Sequence, residues 1–133
     1  MKTLLAALAL PVLLLSTPAL ASNWVYVTSA SDGKEVYADI ESIRKVRYRS
    51  STYVTAWIKW DQQYNMSVPE SYQLIEFYFD CNAYKSGPMS SVKYSVDGSV
   101  LDNINFSYLD LSSVTPDSIG YTTLRFVCER AEV

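Results

Sequence analysis

Cys81 and Cys128 do the most to limit what this chain can fold into, because of where it is expected to fold. Residues 1–21 read as a secretory signal. Lys2 is the positive end, residues 4–15 form an apolar stretch broken by Pro11, and Ala19-Leu20-Ala21 puts small residues at the cleavage positions. The stretch is too short to span a bilayer. Cleavage is expected before Ser22, leaving one domain over residues 22–133, in the periplasm or at the cell surface. No cysteine lies near the junction and no second apolar run is long, so neither a lipid anchor nor a membrane span is expected. In an oxidising compartment, two cysteines default to a disulfide. The loop closed is about 47 residues, for which the chain-entropy estimate is about 4 kcal/mol. A redox pair is the alternative, but no C-x-x-C is present. Cys81 ends a strand-like run and Cys128 lies in a helix-like run, so the bridge would staple a helix to a sheet.

Alternation supplies the sheet. Residues 24–28 and 35–39 read as a hairpin around Ser31-Asp32-Gly33. Residues 40–44 read as a helical turn or loop leading into a basic stretch. In residues 53–60, Val54, Ala56, Ile58 and Trp60 share one face, assigned to the core. Tyr53, Thr55, Trp57 and Lys59 share the other. Residues 61–70 are a polar loop. In residues 71–81, Ile75, Phe77, Phe79 and Cys81 face the core side, opposite Tyr72, Leu74, Glu76, Tyr78 and Asp80. Ser86-Gly87-Pro88 reads as a loop and residues 90–96 as a strand. Asp97-Gly98 is a tight turn before a last strand over 100–106. Residues 107–114 connect to a helix with Thr115 as N-cap, Pro116 at the first position and Asp117 favouring the positive dipole end. Gly120 falls in that helix's apolar arc, where it costs about 1 kcal/mol of propensity. Close approach of the helix to the sheet would explain it, and so would simple tolerance near the helix start. The expectation is an α+β fold: about six mostly antiparallel strands and one C-terminal helix.

Composition narrows the function. Net charge is −3 with Lys2 among the 11 basic residues, so the exported domain is more acidic still. This argues against general nucleic-acid affinity, which needs a basic surface. With no histidine, Ser-His-Asp and Cys-His nucleophile systems and Cys/His zinc sites cannot be built. Glu76 and Asp80 lie about 13 Å apart along one strand, too far for a glycosidase pair. Asp97, Asp102 and Asn103 could be offered to calcium, but aspartate serves Asp-Gly turns for backbone reasons. No enzyme activity, cofactor or metal is expected.

Two candidate binding surfaces emerge. One is the basic cluster Arg44, Lys45, Arg47 and Arg49, suited to an acidic protein segment, a sulfated glycan or anionic lipid; a solvated hairpin end is the plainer reading. The other is the non-core strand face: Tyr53, Trp57, Lys59, Tyr72, Leu74 and Tyr78. All 11 tyrosines and three tryptophans follow residue 21. Such aromatics suit strands, and they also suit protein-binding surfaces. On a solvent-facing sheet they invite a partner protein, a second copy of the chain, or a covering loop.

The ordered set Trp24-Val25-Tyr26-Val27, Asp32-Gly33, Tyr37-x-Asp39, Ser42-Ile43-Arg44 and Trp57-x-Lys59-x-Asp61 resembles the surface-adhesin protein E family. The resemblance continues through Glu76-x-x-x-Asp80-Cys81, Tyr94-x-x-Asp97-Gly98-x-Val100-Leu101, Pro116-Asp117-Ser118-Ile119-Gly120 and Val127-Cys128. It implies a bent antiparallel sheet with the helix tethered to its concave side by the disulfide. It also implies a dimeric surface adhesin for host vitronectin, laminin and plasminogen. A periplasmic binding or lysozyme-inhibitor-like module, or an envelope structural component, is the alternative.

Overall fold

Strand pairing in the computed structural model follows the alternation of the sequence. Residues 21–62 and 68–131 are described. The expected export signal, apart from Ala21, and the middle of the expected polar loop at 61–70 lie outside them. β1 (Trp24–Ser29) and β2 (Glu35–Asp39) form the first hairpin, and a 3₁₀ turn (Ile40–Ser42) leads to β3 (Arg44–Tyr48). Then come β4 (Ser51–Asp61), β5 (Tyr72–Asp80), β6 (Lys85–Tyr94), β7 (Val100–Asn105), β8 (Ser112–Ser113) and α1 (Ile119–Arg130). The main path, β1-β2-β4-β5-β6-β7, holds the six expected strands. The two short ones flank it: β3 lies beside the first half of β4, and β8 beside the start of β6. The fold is an open antiparallel sheet of eight strands among the described residues, with one C-terminal helix.

Register fixes which side chains meet. β4 and β5 pair Val54 with Phe79, Ala56 with Phe77 and Ile58 with Ile75. β2 adds Val36 and Ala38 to the same face through their partners Trp60 and Ile58. Leu124 and Val127 of α1 and Ala131 at its C-cap close over this surface, and Val36, Ala38, Ile58 and Val127 retain no exposed area. Removing such side chains from water is the main favourable term in folding. The helix packs against β1, β2 and β4. Cys81, just past β5, joins Cys128 of α1 with 5.9 Å between their Cα atoms. Tyr84, in the β5–β6 turn, stacks on Tyr121 with ring centroids 5.9 Å apart, a second tie between sheet and helix.

Four expectations need correction. First, the basic stretch after residue 43 is a strand, β3. It is ordered by a polar knot: Asp39 Oδ1 accepts from the amides of Asn23 and Glu41, Ser42 Oγ donates to Asp39 O at 2.7 Å, and Trp57 N donates to Ser42 Oγ at 2.9 Å. This knot pins the 3₁₀ turn against β4, so the chain leaves it already aligned for pairing. Second, Ser86-Gly87-Pro88 lies inside β6. The register shift between Glu76 and Phe77 leaves Met89 as an extra residue, and a bulge tolerates proline. Third, Ser118 and not Thr115 caps the helix. Asp117 has φ 63°, outside the helical region, and Ser118 Oγ accepts from Tyr121 N at 3.1 Å. Thr115 instead closes the preceding turn, its carbonyl accepting from Ser118 Oγ at 2.6 Å.

Fourth, close approach occurs at Gly87 rather than Gly120. A Cβ on Gly120 would meet only Ser118 Oγ at 3.6 Å and Val114 Cγ1 at 3.8 Å, ordinary contacts that leave the glycine merely tolerated. A Cβ on Gly87 would lie 2.2 Å from the carbonyl oxygen of Asp110. The connector between β7 and β8 is pressed onto the sheet there.

Three substitutions test this packing, each read by thermal or chemical denaturation. Cys128→Ser should remove about 4 kcal/mol of stability, a fall of roughly 15 °C in melting temperature. Gly87→Ala should cost about 1–3 kcal/mol by overpacking, whereas Gly120→Ala should be neutral or add up to about 1 kcal/mol.

Candidate binding surface

The face opposite the helix is built from the side chains that alternate with the core set. Its main feature is a lysine among aromatic rings. Lys59 of β4 lies between Tyr37 of β2 and Leu74 of β5, its cross-strand partners. Its ammonium stands 5.3 Å from the ring centroid of Tyr72, 5.6 Å from that of Trp24 and 5.8 Å from that of Tyr37. Each contact lies within the range where a ring face attracts a cation. Tyr72 in turn stacks on Tyr94 at 4.6 Å, and Tyr26 meets Tyr37 edge-on at 5.9 Å. The sheet thus carries an aromatic floor from β1 to β6, with one positive charge near its centre.

Glu35 sets the electrostatics at its border. Tyr37 Oη donates to Glu35 Oε2 at 2.5 Å. That hydrogen bond to a carboxylate, helped by desolvation and by the charges of Glu35 and Asp61, pushes the Tyr37 phenol up to about 12.

A second aromatic group sits at the other end of the same face. Tyr78 contacts Tyr48 edge-on at 6.2 Å and Tyr53 at 6.4 Å, and the Arg49 guanidinium lies 5.5 Å from the Tyr48 centroid. Here the connector covers the sheet. Leu109 N donates to Tyr48 Oη at 3.2 Å, and Asp110 O lies against Gly87, which pairs with Tyr78. Trp57 stands between the two groups, half-buried and opposite Glu76. Thr55, on the same face, is 1% exposed and donates to Phe77 O.

The predicted residues therefore fall into different places. Trp57, Lys59 and Tyr72 share the open part of the face, while Tyr53 and Tyr78 lie at the covered end. The basic cluster is divided by the pleat of β3. Arg44, Val46 and Tyr48 pair with Thr55, Tyr53 and Ser51 on the outer face, whereas Lys45 and Arg47 pair with Val54 and Thr52 on the helix side. Arg49 occupies the β3–β4 turn with φ 54°. Lys45 reaches the rim of a cavity of about 650 Å³ beside the disulfide, floored by Val54, Phe79 and Leu124. Trp24, Tyr37 and Tyr94 complete the aromatic floor and were not among the predicted binding residues. Their signal was present: Val36 and Ala38 are core residues, so Tyr37 between them must face outward.

The acidic candidates serve local structure. Asp80 Oδ1 accepts from Ala83 N at 3.0 Å and shapes the β5–β6 turn. Asp97 accepts from the hydroxyls of Ser95 and Ser99 and from Ser99 N, which holds its carboxyl down at about 2. Among the described residues no group of three His, Cys, Asp or Glu is placed to hold a metal ion.

Tyr37 gives a direct check. Its raised phenol means the Glu35 hydrogen bond adds stability that is complete below the ordinary tyrosine value and is lost as pH rises through about 12. In a spectrophotometric titration of the folded protein, the Tyr37 phenol should ionise at about 12. Glu35→Gln should return it towards about 10.

No curated protein and no solved structure matches the chain. The family model described as surface-adhesin protein E matches residues 24–129, a span that begins at the first strand, takes in both cysteines and ends within the helix. The chain belongs to the surface-adhesin protein E family.

Proposed function

We propose that this chain is exported and acts as a non-enzymatic surface adhesin, binding host matrix or serum proteins. The family match over residues 24–129 carries the reading. Vitronectin, laminin and plasminogen are the partners implied by the resemblance. The geometry supports protein binding on the face opposite the helix. Tyrosine and tryptophan offer large contact area at small entropic cost, and the floor of Trp24, Tyr37, Tyr72 and Tyr94 with Lys59 at its centre is the open part of that face. A partner that brings a carboxylate to Lys59 and apolar groups to the rings suits it.

Surface location is tested by antibody labelling and protease shaving of intact cells against lysed controls. Labelling of intact cells is the expected result, and signal only after lysis would place the protein in the periplasm and remove adhesion. Purified residues 22–133 are then measured against immobilised vitronectin, laminin and plasminogen. Lys59→Glu should weaken binding by about tenfold or more, while Arg47→Glu, on the helix side, should leave it unchanged. Equal loss in both variants would put the partner elsewhere.

A further inference from the structure

The two edges of the sheet are treated differently. One edge is formed by β1 and β3. β1 is interrupted by a register shift between Tyr26 and Thr28, and α1 packs against it. β3 carries Arg44, Lys45 and Arg47 among its five residues. Bulges, covering elements and charges are the devices that stop an edge strand from pairing with another chain.

The other edge, β7, is less protected. Its six residues, Val-Leu-Asp-Asn-Ile-Asn, are all exposed, with no lysine, arginine or proline among them. Its register shift lies at its start, between Lys93 and Tyr94, and Asp102 to Asn105 pair regularly with β6. Among the described residues, six of the eight exposed large hydrophobic side chains lie on this strand or beside it: Val96, Val100, Leu101, Ile104, Phe106 and Tyr108. The backbone is also free to pair. Phe106 N donates to Met89 O at 2.9 Å. Antiparallel alternation then turns Ile104 towards β6 and leaves the N–H and C=O of Asn103 and Asn105 pointing outward.

Charge says what kind of strand fits. Between Lys93 and Arg125 the chain contains Asp97, Asp102, Asp110 and Asp117 but no lysine or arginine. Such an edge repels acidic segments and attracts basic ones.

We propose that β7 takes an extended segment of a partner protein as an added strand, and that the segment alternates apolar with basic side chains. This deepens the adhesin reading and rests on it. Main-chain hydrogen bonds to Asn103 and Asn105 hold the segment, while its alternate side chains meet the exposed apolar residues and the aspartates. The added strand continues the outer face, because Asn103, Val92, Leu74 and Lys59 lie in one cross-strand row.

The test uses the exported domain with its disulfide intact. The probe is a fluorescein-labelled peptide of about ten residues alternating lysine with valine or threonine, beside a counterpart with glutamate for lysine. In low salt the lysine peptide should bind by fluorescence anisotropy and slow hydrogen exchange at Asn103 and Asn105. The glutamate peptide should not bind. Asn103→Pro removes an outward N–H without touching the bonds to β6, so it should weaken binding by about tenfold or more with the melting temperature held. Ile104→Lys, which adds a guarding charge, serves should the proline variant not fold, and should weaken binding likewise. Equal binding of both peptides, protection elsewhere, or unchanged binding in both variants overturns the proposal. So does a result in which neither peptide binds and Asn103→Pro only abolishes self-association in sedimentation, which would make the occupant a second copy. Absence of edge binding with intact binding of vitronectin, laminin or plasminogen overturns the edge and leaves adhesion standing. Edge binding without cell-surface exposure does the reverse.

Discussion

Everything in this domain depends on the helix being held against the apolar face of the sheet. The β4–β5 pair supplies Val54, Ala56, Ile58, Ile75, Phe77 and Phe79 in one surface. Leu124, Val127 and Ala131 cover it, and the Cys81–Cys128 bond anchors the helix at the end of β5. In a domain whose net stability is on the order of 5–15 kcal/mol, a cross-link worth about 4 kcal/mol is a large share. The ring stack of Tyr84 on Tyr121 works beside it, so the β5–β6 turn is fixed to the helix by both sulfur and aromatic contact.

Because strand side chains alternate, burying one face decides the composition of the other. Each core residue of β2, β4 and β5 leaves its neighbours on the outer face, and those neighbours are Tyr37, Trp57, Lys59, Tyr72, Leu74 and Tyr78. A strictly polar outer face would have been enough for solubility. This one is aromatic instead, and it is stabilised internally: Lys59 sits against three rings, Tyr72 stacks on Tyr94, and Thr55 satisfies its hydroxyl within the sheet. At one end the connector lies across Tyr48 and Gly87, which separates a covered region from an open one.

How much of this could be read from the sequence depended on the range of the interaction involved. The core faces of β4 and β5 and the bridge follow from alternation and from cysteine chemistry, which are local or combinatorial. β3 was hidden because Arg44, Lys45, Arg47 and Arg49 lack a period-2 apolar signal; its pairing comes from the Asp39–Ser42–Trp57 knot, which joins distant segments. β6 was cut short because Gly87 and Pro88 read as a break, and only the bulge and the carbonyl of Asp110 explain why they belong. The helix start was displaced because Thr115-Pro116 fits a cap locally, while the positive φ of Asp117 is set by the turn that brings the chain around from β8. Composition marks the basic cluster as one group, but the pleat of β3 divides it between two faces.

The division of charge along the sheet has a further consequence. Basic residues collect on the β3 edge and aspartates on the stretch that contains β7, so the two sides of the sheet differ in sign as well as in protection. An exposed apolar edge is an aggregation hazard that natural sheets suppress with short strands, charges or coverings. Suppression is present on the β1 and β3 side, so the chain carries the means for it. Its weakness at β7, together with outward backbone groups at Asn103 and Asn105 and nearby exposed apolar side chains, is what a strand-accepting edge requires. The acidic character then limits the hazard, since a second β7 brings its own Asp102 and like charges oppose the pairing. The same acidic character that opposes a second copy favours a segment of opposite charge, so the proposed strand addition and resistance to self-pairing rest on one feature of the sequence.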